Sequence, residues 1–282
     1  MTIQWYPGHM TKARRELEAL MPKQDVIIEV LDARMPSASE NPVIAELRGR
    51  KPCIKVLSKS DLADADITAL WMRHFDAMEG GAVRAVASTT ERPADMRTRI
   101  PELVKELGII KVGPGKSVRA LIVGIPNVGK STLINTLMNR IVAKVSDRPA
   151  VTKSQQQVTL KSGMILWDSP GILWPKQEDE AASYRLALGG AIPNTAIDYQ
   201  NVAMFGARFF LQHYPAPILA RFNLDTAPPT PEALLVEIGK RRGCLRSGGV
   251  VDLQKASEIF VHECRSGLLG RWSLERPGGA ER

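Results

Sequence analysis

Short apolar runs alternate with longer stretches of helical periodicity through the first half of the chain and somewhat beyond. The continuous apolar run at 25–31 is typical of a strand buried on both faces of a parallel sheet, whereas 41–48 and 94–107 repeat apolar residues at helical spacing. This alternation predicts an α/β fold with a doubly wound, mostly parallel sheet that binds ligands at the carboxyl ends of its strands. Six strands are predicted, at 25–31, 52–57, 81–86, 118–123, 156–160 and 164–167.

The rest of the chain has a different pattern. Segments 180–188, 201–213, 231–240 and 252–268 have helical periodicity and no strand between them, which predicts a small all-α domain. We therefore expect an α/β domain over residues 1–178 and a helical domain over residues 179–282. The Gly/Pro-rich stretch at 111–116 predicts a joint between two halves of the first domain.

Composition narrows the class of protein. The chain has 282 residues, of which 44% are hydrophobic, enough to bury one large core or two smaller ones. Its three cysteines have no metal-ligand spacing and favour reduced thiols in the cytosol. We find no apolar core of a signal peptide and no apolar run of about 18 residues, so we expect a cytoplasmic protein that does not enter a membrane.

The most informative motif is Gly124–Ser131, which matches the phosphate-binding loop G-x-x-x-x-G-K-S. It lies between a predicted strand and a predicted helix, the context that the motif requires. Its backbone amides would bind phosphates, with Lys130 reaching the β- and γ-phosphates and the hydroxyl of Ser131 in the shell of a Mg²⁺ ion. The expected nucleotide contacts of this stretch are Asn127, Val128, Gly129, Lys130, Ser131 and Thr132.

Two further motifs follow in the order expected of a GTPase. Asp168–Gly171 ends the strand at 164–167 and fits the D-x-x-G pattern of switch II. Asp168 would hold Mg²⁺, directly or through water, and the amide of Gly171 would contact the γ-phosphate. Thr152 lies between the phosphate loop and this D-x-x-G motif. It is a candidate switch I threonine that would close over Mg²⁺ and the γ-phosphate.

The base-reading motif comes before the phosphate loop rather than after it. Ser58-Lys-Ser-Asp61 ends the strand at 52–57 and has the form S-K-x-D. Asp61 can accept both donors on the edge of guanine, a pair that adenine lacks, while the alkyl stem of Lys59 would lie along the base. Ser88 follows the next strand, in the place of a loop that supports the base.

The order of these motifs is a circular permutation of a GTPase domain, and further segments make the resemblance specific. Trp5–Met10, Asp32–Pro36 and Asn41-Pro42 resemble the bacterial ribosome-biogenesis GTPases of the YlqF/RbgA type, over nearly the whole chain. The resemblance implies a circularly permuted P-loop GTPase domain with a six-stranded sheet, followed by a small all-α RNA-binding domain. It implies GTP hydrolysis during late maturation of the large (50S) ribosomal subunit, with rRNA and ribosomal proteins as partners.

The same resemblance assigns two roles and shows two departures. The Pro-Gly-His element of the family matches at His9, which implies that His9 helps to position the attacking water. Asn127 is similar to the asparagine that holds K⁺ in potassium-activated GTPases. Ser58 replaces the usual asparagine of the base-reading motif but can still hydrogen-bond to the phosphate loop, and Ala150 replaces a glycine before switch I.

Three questions stay open at this stage. Ile172 and Leu173 stand where many GTPases have a water-orienting glutamine, so either His9 or a partner must supply this function, and His9 could instead contact rRNA. The basic residues Lys240–Arg242 with Arg246 could bind RNA or form an ordinary solvated face. A non-hydrolysing RNA-binding scaffold and a small-molecule phosphotransferase are the alternative functions.

Overall fold

A computed structural model describes residues 8–111, 113, 115–141, 157–173 and 180–278, with side chains described from residue 11 onward. The side chain of His9 therefore lies outside the described part, although its backbone belongs to the first helix. Thr152 and Ala150 also lie outside the described residues.

Six strands form one sheet in the order β3-β2-β1-β4-β6-β5. All neighbouring strands are parallel except the edge strand β5, which is antiparallel to β6. The predicted α/β class and mostly parallel sheet are thereby confirmed. The strands are β1 (Val26–Asp32), β2 (Cys53–Ser58), β3 (Val83–Ala87), β4 (Arg119–Val123), β5 (Gln157–Thr159) and β6 (Ile165–Asp168).

Eleven α-helices lie within the described residues, and capping residues define where several of them begin. Asn41, Asp64 and Asp198 each accept backbone N–H groups of the first turn that follows them. The helices are α1 (Gly8–Leu20), α2 (Pro36–Ser39), α3 (Pro42–Arg48), α4 (Ala65–Asp76), α5 (Pro93–Glu106), α6 (Lys130–Met138), α7 (Glu180–Gly189), α8 (Tyr199–His213), α9 (Pro215–Phe222), α10 (Pro231–Arg241) and α11 (Leu253–Ser266). None of the described helices is both long enough and apolar enough to cross a bilayer.

Apolar side chains cover both faces of the sheet. On one face, buried residues of helices α1, α3 and α4 form one core with alternate residues of β1, and Leu17, Phe75 and Ile27 belong to it. On the other face, Ile100 and Leu133 join a core that continues into α8 and α11 through Phe210 and Phe260. The helical part of the chain therefore shares a core with the sheet, because the apolar stripes of its helices have no other layer to cover them.

A stretch close to the end of the described residues, 272–275, returns to the α/β part of the chain. We call it the closing segment. The amide of Trp272 donates to the carbonyl of Leu62 at 3.1 Å, and the amide of Leu274 donates to the carbonyl of Arg34 at 2.7 Å. Its side chains are buried. A domain boundary at residue 178 stays a prediction, and these backbone contacts cross it.

Candidate functional site

The carboxyl ends of the parallel strands meet at one edge of the sheet. Asp32 at the end of β1 is in register with Ser58 at the end of β2, and Asp168 at the end of β6 is in register with Ile122 of β4. Since β1 and β4 are central neighbours whose chain connections leave in opposite directions, a crevice is expected between them. The three motifs found in the sequence lie at this edge.

The phosphate loop has a backbone that only glycine tolerates at its first residue. Gly124 has φ +147°, and a Cβ there would lie 2.5 Å from the carbonyl oxygen of Val30. Asn127 and Gly129 are also left-handed, at +56° and +103°, and α6 begins directly afterwards. Left-handed residues next to a helix start turn successive N–H groups towards one concavity, which suits a phosphate chain.

Lys130 lies in this loop with its side chain buried. Its ammonium donates to the carbonyl of Ile125 at 2.7 Å and to that of Gly124 at 3.0 Å. Burial lowers its pKa to about 8, against the opposing effect of Asp168. The lysine closes the loop on itself, and it would exchange these two carbonyls for phosphate oxygens.

Asp168, at the end of β6, is the carboxylate whose charge acts on that lysine. Its side chain is buried, and neither carboxylate oxygen accepts a hydrogen bond of ordinary geometry from a described residue. Burial raises its pKa to about 6, although the charge of Lys130 acts in the other direction. A buried carboxylate without partners is costly unless something else compensates its charge. A Mg²⁺ ion, which prefers oxygen ligands, fits this donor set together with the hydroxyl of Ser131.

The residues after Asp168 pack directly against the phosphate loop. The hydroxyl of Ser169 donates to the carbonyl of Ile122 at 2.7 Å. A Cβ on Gly171 would lie 2.8 Å from the backbone of Pro126 and 3.0 Å from Nζ of Lys130. Only glycine lets the chain approach this closely, so the amide of Gly171 stays beside the loop that would bind the γ-phosphate.

The two residues after Gly171 point into the protein. Ile172 is 2% exposed in the core on one face of the sheet, and Leu173 is fully buried in the core on the other face. The carbonyl of Ile172 accepts a hydrogen bond from the side-chain amide of Asn41 at 2.8 Å. Two buried apolar side chains cannot orient water, which agrees with the sequence argument for a group from elsewhere.

The base-reading loop lies on the other side of the phosphate loop. The hydroxyl of Ser58 lies within hydrogen-bonding distance of the carbonyls of Leu31 and Val128, so the expected contact with the phosphate loop is present. Oδ1 of Asp61 is buried and accepts no hydrogen bond within the described part of the chain. The backbone of Ser88 supports this loop, because its carbonyl accepts the amide of Ser60 at 3.2 Å.

The ammonium of Lys59 forms an ion pair that the base-reading motif alone does not predict. Lys59 has a left-handed backbone, with φ +55°, and its ammonium lies 2.9 Å from Oδ2 of Asp32. Asp32 also accepts the side chain of Arg34 through Nε and Nη2, at 2.9 and 2.8 Å. These two cations hold the pKa of the Asp32 carboxyl well below its usual range, although burial acts in the other direction.

Sequence reasoning did not assign Asp32, Arg34 and Asn41 to the site. It found them as marks of a family resemblance, because their motifs have no general chemical signature. A polar residue at the carboxyl end of a buried parallel strand, as Asp32 is, was the available signal.

The phosphate loop also contacts the helical part of the chain. The side-chain amide of Asn127 donates to the carbonyl of Gly190 at 3.0 Å, at the end of α7. The neighbouring carbonyl of Gly189 accepts Nη2 of Arg34 at 3.2 Å. One turn of the helical part therefore touches both the phosphate loop and the residue that holds Asp32.

The predicted basic patch is largely paired with carboxylates. Arg242 bonds to the buried Glu263 at 2.7 Å and lies over the ring of Phe222. Lys240 pairs with Glu237, and Arg246 pairs with Asp252. Among the described residues Arg241 has no ion pair, so three of the four cations of this patch are compensated by neighbouring carboxylates.

The amino-acid sequence is similar to those of known GTPases. Residues 119–196 match a family model described as 50S ribosome-binding GTPase. The chain is 44% identical to ribosome biogenesis GTPase A of Bacillus cereus over 280 residues, which cover 98% of the chain and 95% of the relative. It is 31% identical to the protein of the same name from Thermotoga maritima, over 98% of the chain and 95% of the relative.

Solved structures extend this likeness to the fold. A GDP-bound YlqF superimposes with a TM-score of 0.67 at 28% identity, over 93% of this chain and 99% of that one. A GNP-bound YlqF from T. maritima gives the same TM-score and identity over 95% and 99%. The likeness spans nearly the whole of both chains, so it includes the helical part as well as the sheet.

Proposed function

This chain belongs to the ribosome biogenesis GTPase A family, and we propose that it couples GTP hydrolysis in this crevice to late maturation of the large ribosomal subunit. As a family member it is a GTPase that acts in ribosome assembly. Its place of action, its partner subunit and the roles of the individual site residues are proposals.

The observation that carries the proposal is the environment of Asp168. A buried carboxylate that accepts no hydrogen bond of ordinary geometry from a described residue, and whose pKa burial raises, is unfavourable for the protein alone. A bound Mg²⁺–nucleotide would compensate this carboxylate with the positive charge of the ion, which would also stabilise charge on the phosphates. Asp168, Ser131 and the predicted Thr152 are the residues that would hold this ion.

The protein's own groups would then bind and orient GTP. The amides of the phosphate loop cradle the phosphates, and Lys130 moves from its two loop carbonyls to phosphate oxygens. Gly171, held against Pro126, offers its amide to the γ-phosphate. Asp61 accepts the two donors of guanine with a carboxylate whose buried Oδ1 has no other described partner.

Hydrolysis requires a group that orients water, and we assign this role to His9. Ile172 and Leu173 are buried in the two cores and cannot contribute. We also propose that Asn127 helps to hold a K⁺ ion beside the phosphates. Exchanging K⁺ for Na⁺ tests that assignment, and an unchanged hydrolysis rate would contradict it.

Binding to the ribosomal subunit should depend on the nucleotide, because the γ-phosphate orders the switch segments. The segment that contains Gly171 contacts the phosphate loop, so a partner that touches this segment can distinguish GTP from GDP. We propose that the protein acts in the cytoplasm, where it binds rRNA and ribosomal proteins of the large subunit in its GTP form.

Single-turnover hydrolysis with purified ribosomal subunits tests this function. We expect large subunits to accelerate hydrolysis and small subunits to have no effect, while Lys130→Ala removes nucleotide binding. Co-sedimentation should be stronger with a non-hydrolysable GTP analogue than with GDP and should weaken steeply with salt. Binding to large subunits without any hydrolysis would favour the alternative of a non-hydrolysing scaffold.

A further inference from the structure

The ammonium of Lys59 is placed by Asp32. The two groups are 2.9 Å apart, and the Asp32 carboxylate is 1% exposed. Since the left-handed backbone of Lys59 turns its side chain at the end of β2, the ion pair determines where the alkyl stem lies. In the site described above, that stem is the surface along which guanine would stack.

Arg34 holds Asp32 in turn. Its backbone amide and Nε both donate to Oδ1 of Asp32, at 3.1 and 2.9 Å, and Nη2 donates to Oδ2 at 2.8 Å. A guanidinium binds a carboxylate in a planar, two-point geometry that a lysine ammonium cannot reproduce. Arg34 therefore determines the orientation of the carboxylate as well as its charge.

Arg34 is itself held by residues from the other end of the chain. Its guanidinium lies 4.8 Å from the ring centre of Trp272, and Nη2 also donates to the carbonyl of Gly189. Its carbonyl accepts the amide of Leu274 at 2.7 Å. Both Arg34 and Trp272 are among the largest fully buried side chains, so neither can move without disturbing the core.

The same closing segment brackets the loop that carries Asp61. The amide of Trp272 bonds to the carbonyl of Leu62, the residue directly after Asp61. The amide of Asp64 donates to the hydroxyl of Ser273 at 3.2 Å. These two contacts join the loop to residues more than 200 positions away in the sequence.

We propose that Arg34 is a positioning residue of the guanine site and that the closing segment, residues 272–275, is a structural part of guanine recognition. Arg34 places Lys59 through Asp32, and the closing segment places both Arg34 and the loop of Asp61. This inference deepens the proposed function and rests on it. Nucleotide affinity should therefore depend on the closing segment, which lies at the end of the helical part.

A double-mutant cycle on nucleotide affinity tests the inference. We would measure the dissociation constant of a fluorescent GDP analogue for the wild type, Arg34→Lys, Lys59→Ala and the double variant. Arg34→Lys should weaken binding about tenfold, because it loses the two-point bond to Asp32. In the double variant the loss should equal that of Lys59→Ala alone, since Arg34 acts through Lys59.

Two further measurements separate positioning from a general loss of stability. The single-turnover rate of Arg34→Lys at saturating GTP should stay within about twofold of the wild-type rate, because a lost ground-state contact changes affinity rather than chemistry. Arg48→Lys is the matched control. Arg48 is a buried arginine that bonds to Glu79 at the opposite edge of the sheet, so the variant should melt at a lower temperature with unchanged affinity.

The outcomes distinguish this inference from the proposed function. If the wild type does not bind the GDP analogue, the proposed function fails. If it binds but Arg34→Lys has no effect, if the effects of Arg34→Lys and Lys59→Ala are additive, or if Arg48→Lys weakens binding equally, the positioning role is wrong. If Arg34→Lys loses its cooperative melting transition, Trp272→Phe replaces it in the same cycle. We then expect Trp272→Phe to weaken binding, and its double variant with Lys59→Ala to bind no more weakly than Lys59→Ala alone.

Discussion

The side-chain amide of Asn41 donates a 2.8 Å hydrogen bond to the carbonyl of Ile172, which joins the start of α3 to the segment after Gly171. The carbonyl of the same amide accepts the backbone amide of Val43 at 3.0 Å and caps the helix. One side chain therefore begins a helix and fixes the chain that would contact the γ-phosphate. These two hydrogen bonds explain why an asparagine stands before Pro42 at the start of the helix.

Asn41→Ser should weaken binding of a GTP analogue more than binding of GDP. Serine retains a capping oxygen but is too short to reach Ile172, so a buried carbonyl loses its donor. We expect about a tenfold lower affinity for the GTP analogue and a change of no more than about twofold for GDP. Asn41→Ala, which removes the cap as well, should have the same selectivity and a lower melting temperature. Equal losses for both nucleotides would contradict this role.

Asp61→Asn should change the base preference of the site. An amide can no longer accept both donors of guanine, but its N–H₂ group suits the acceptor that xanthine presents there. Affinity for GTP should fall by about 1.5–3 kcal/mol, the usual size of a lost charged hydrogen bond. Competition between GTP and XTP, measured on both proteins, checks this. Unchanged GTP affinity would remove the loop of Ser58–Asp61 from the site.

His9→Ala should separate chemistry from binding. We expect nucleotide affinity near that of the wild type and hydrolysis slower by about 10²-fold, the scale of a positioned general base or water-orienting group. Single-turnover rates with large subunits present are the required measurement. Equal rates for the two proteins would leave contact with rRNA as the role of His9.

Asp168→Asn should stabilise the nucleotide-free protein at neutral pH while removing Mg²⁺-dependent GTP binding. Burial raises the pKa of Asp168 from 3.8 to about 6, so the folded protein holds this proton more tightly than the unfolded chain does. Ionisation therefore lowers stability as the pH rises from about 4 to about 6, by about 2–3 kcal/mol in total. Unfolding at pH 4 and pH 8 measures this loss, and the variant should lack it. An equal loss of stability in the wild type and the variant would contradict the assignment.

Charge reversal at the carboxyl end of α10 should have two different effects, depending on the residue that is changed. Arg242→Glu would place a carboxylate against the buried Glu263, so we expect a loss of folding stability of several kcal/mol. Lys240→Glu with Arg241→Glu changes two exposed side chains and should leave stability nearly unchanged. If this surface binds rRNA, the second variant should bind large subunits more weakly at low salt, with unchanged intrinsic GTPase activity. Normal binding would show that the patch is an ordinary solvated face.

Local patterns in the sequence determined the strands, the phosphate loop and the D-x-x-G turn. Each of these depends on residues within a few positions of one another: an apolar run, a glycine with a positive φ, a polar residue at a strand end. The permuted order of the motifs was equally visible, because parallel strands bring their carboxyl ends to one edge whatever the order of the chain. Asp168 and Asp61 could be chosen as site residues on that basis alone.

Only the tertiary structure decided which groups hold these residues in place. Lys59 pairs with Asp32, Arg34 contacts Trp272, and Asn41 reaches Ile172 across 131 positions of sequence. Arg242, which the sequence places in a basic patch, is likewise paired with Glu263. Periodicity and turn chemistry act over a few residues, whereas these partners come from separate elements that meet only when the chain packs, and no local pattern records which side chains that packing brings together.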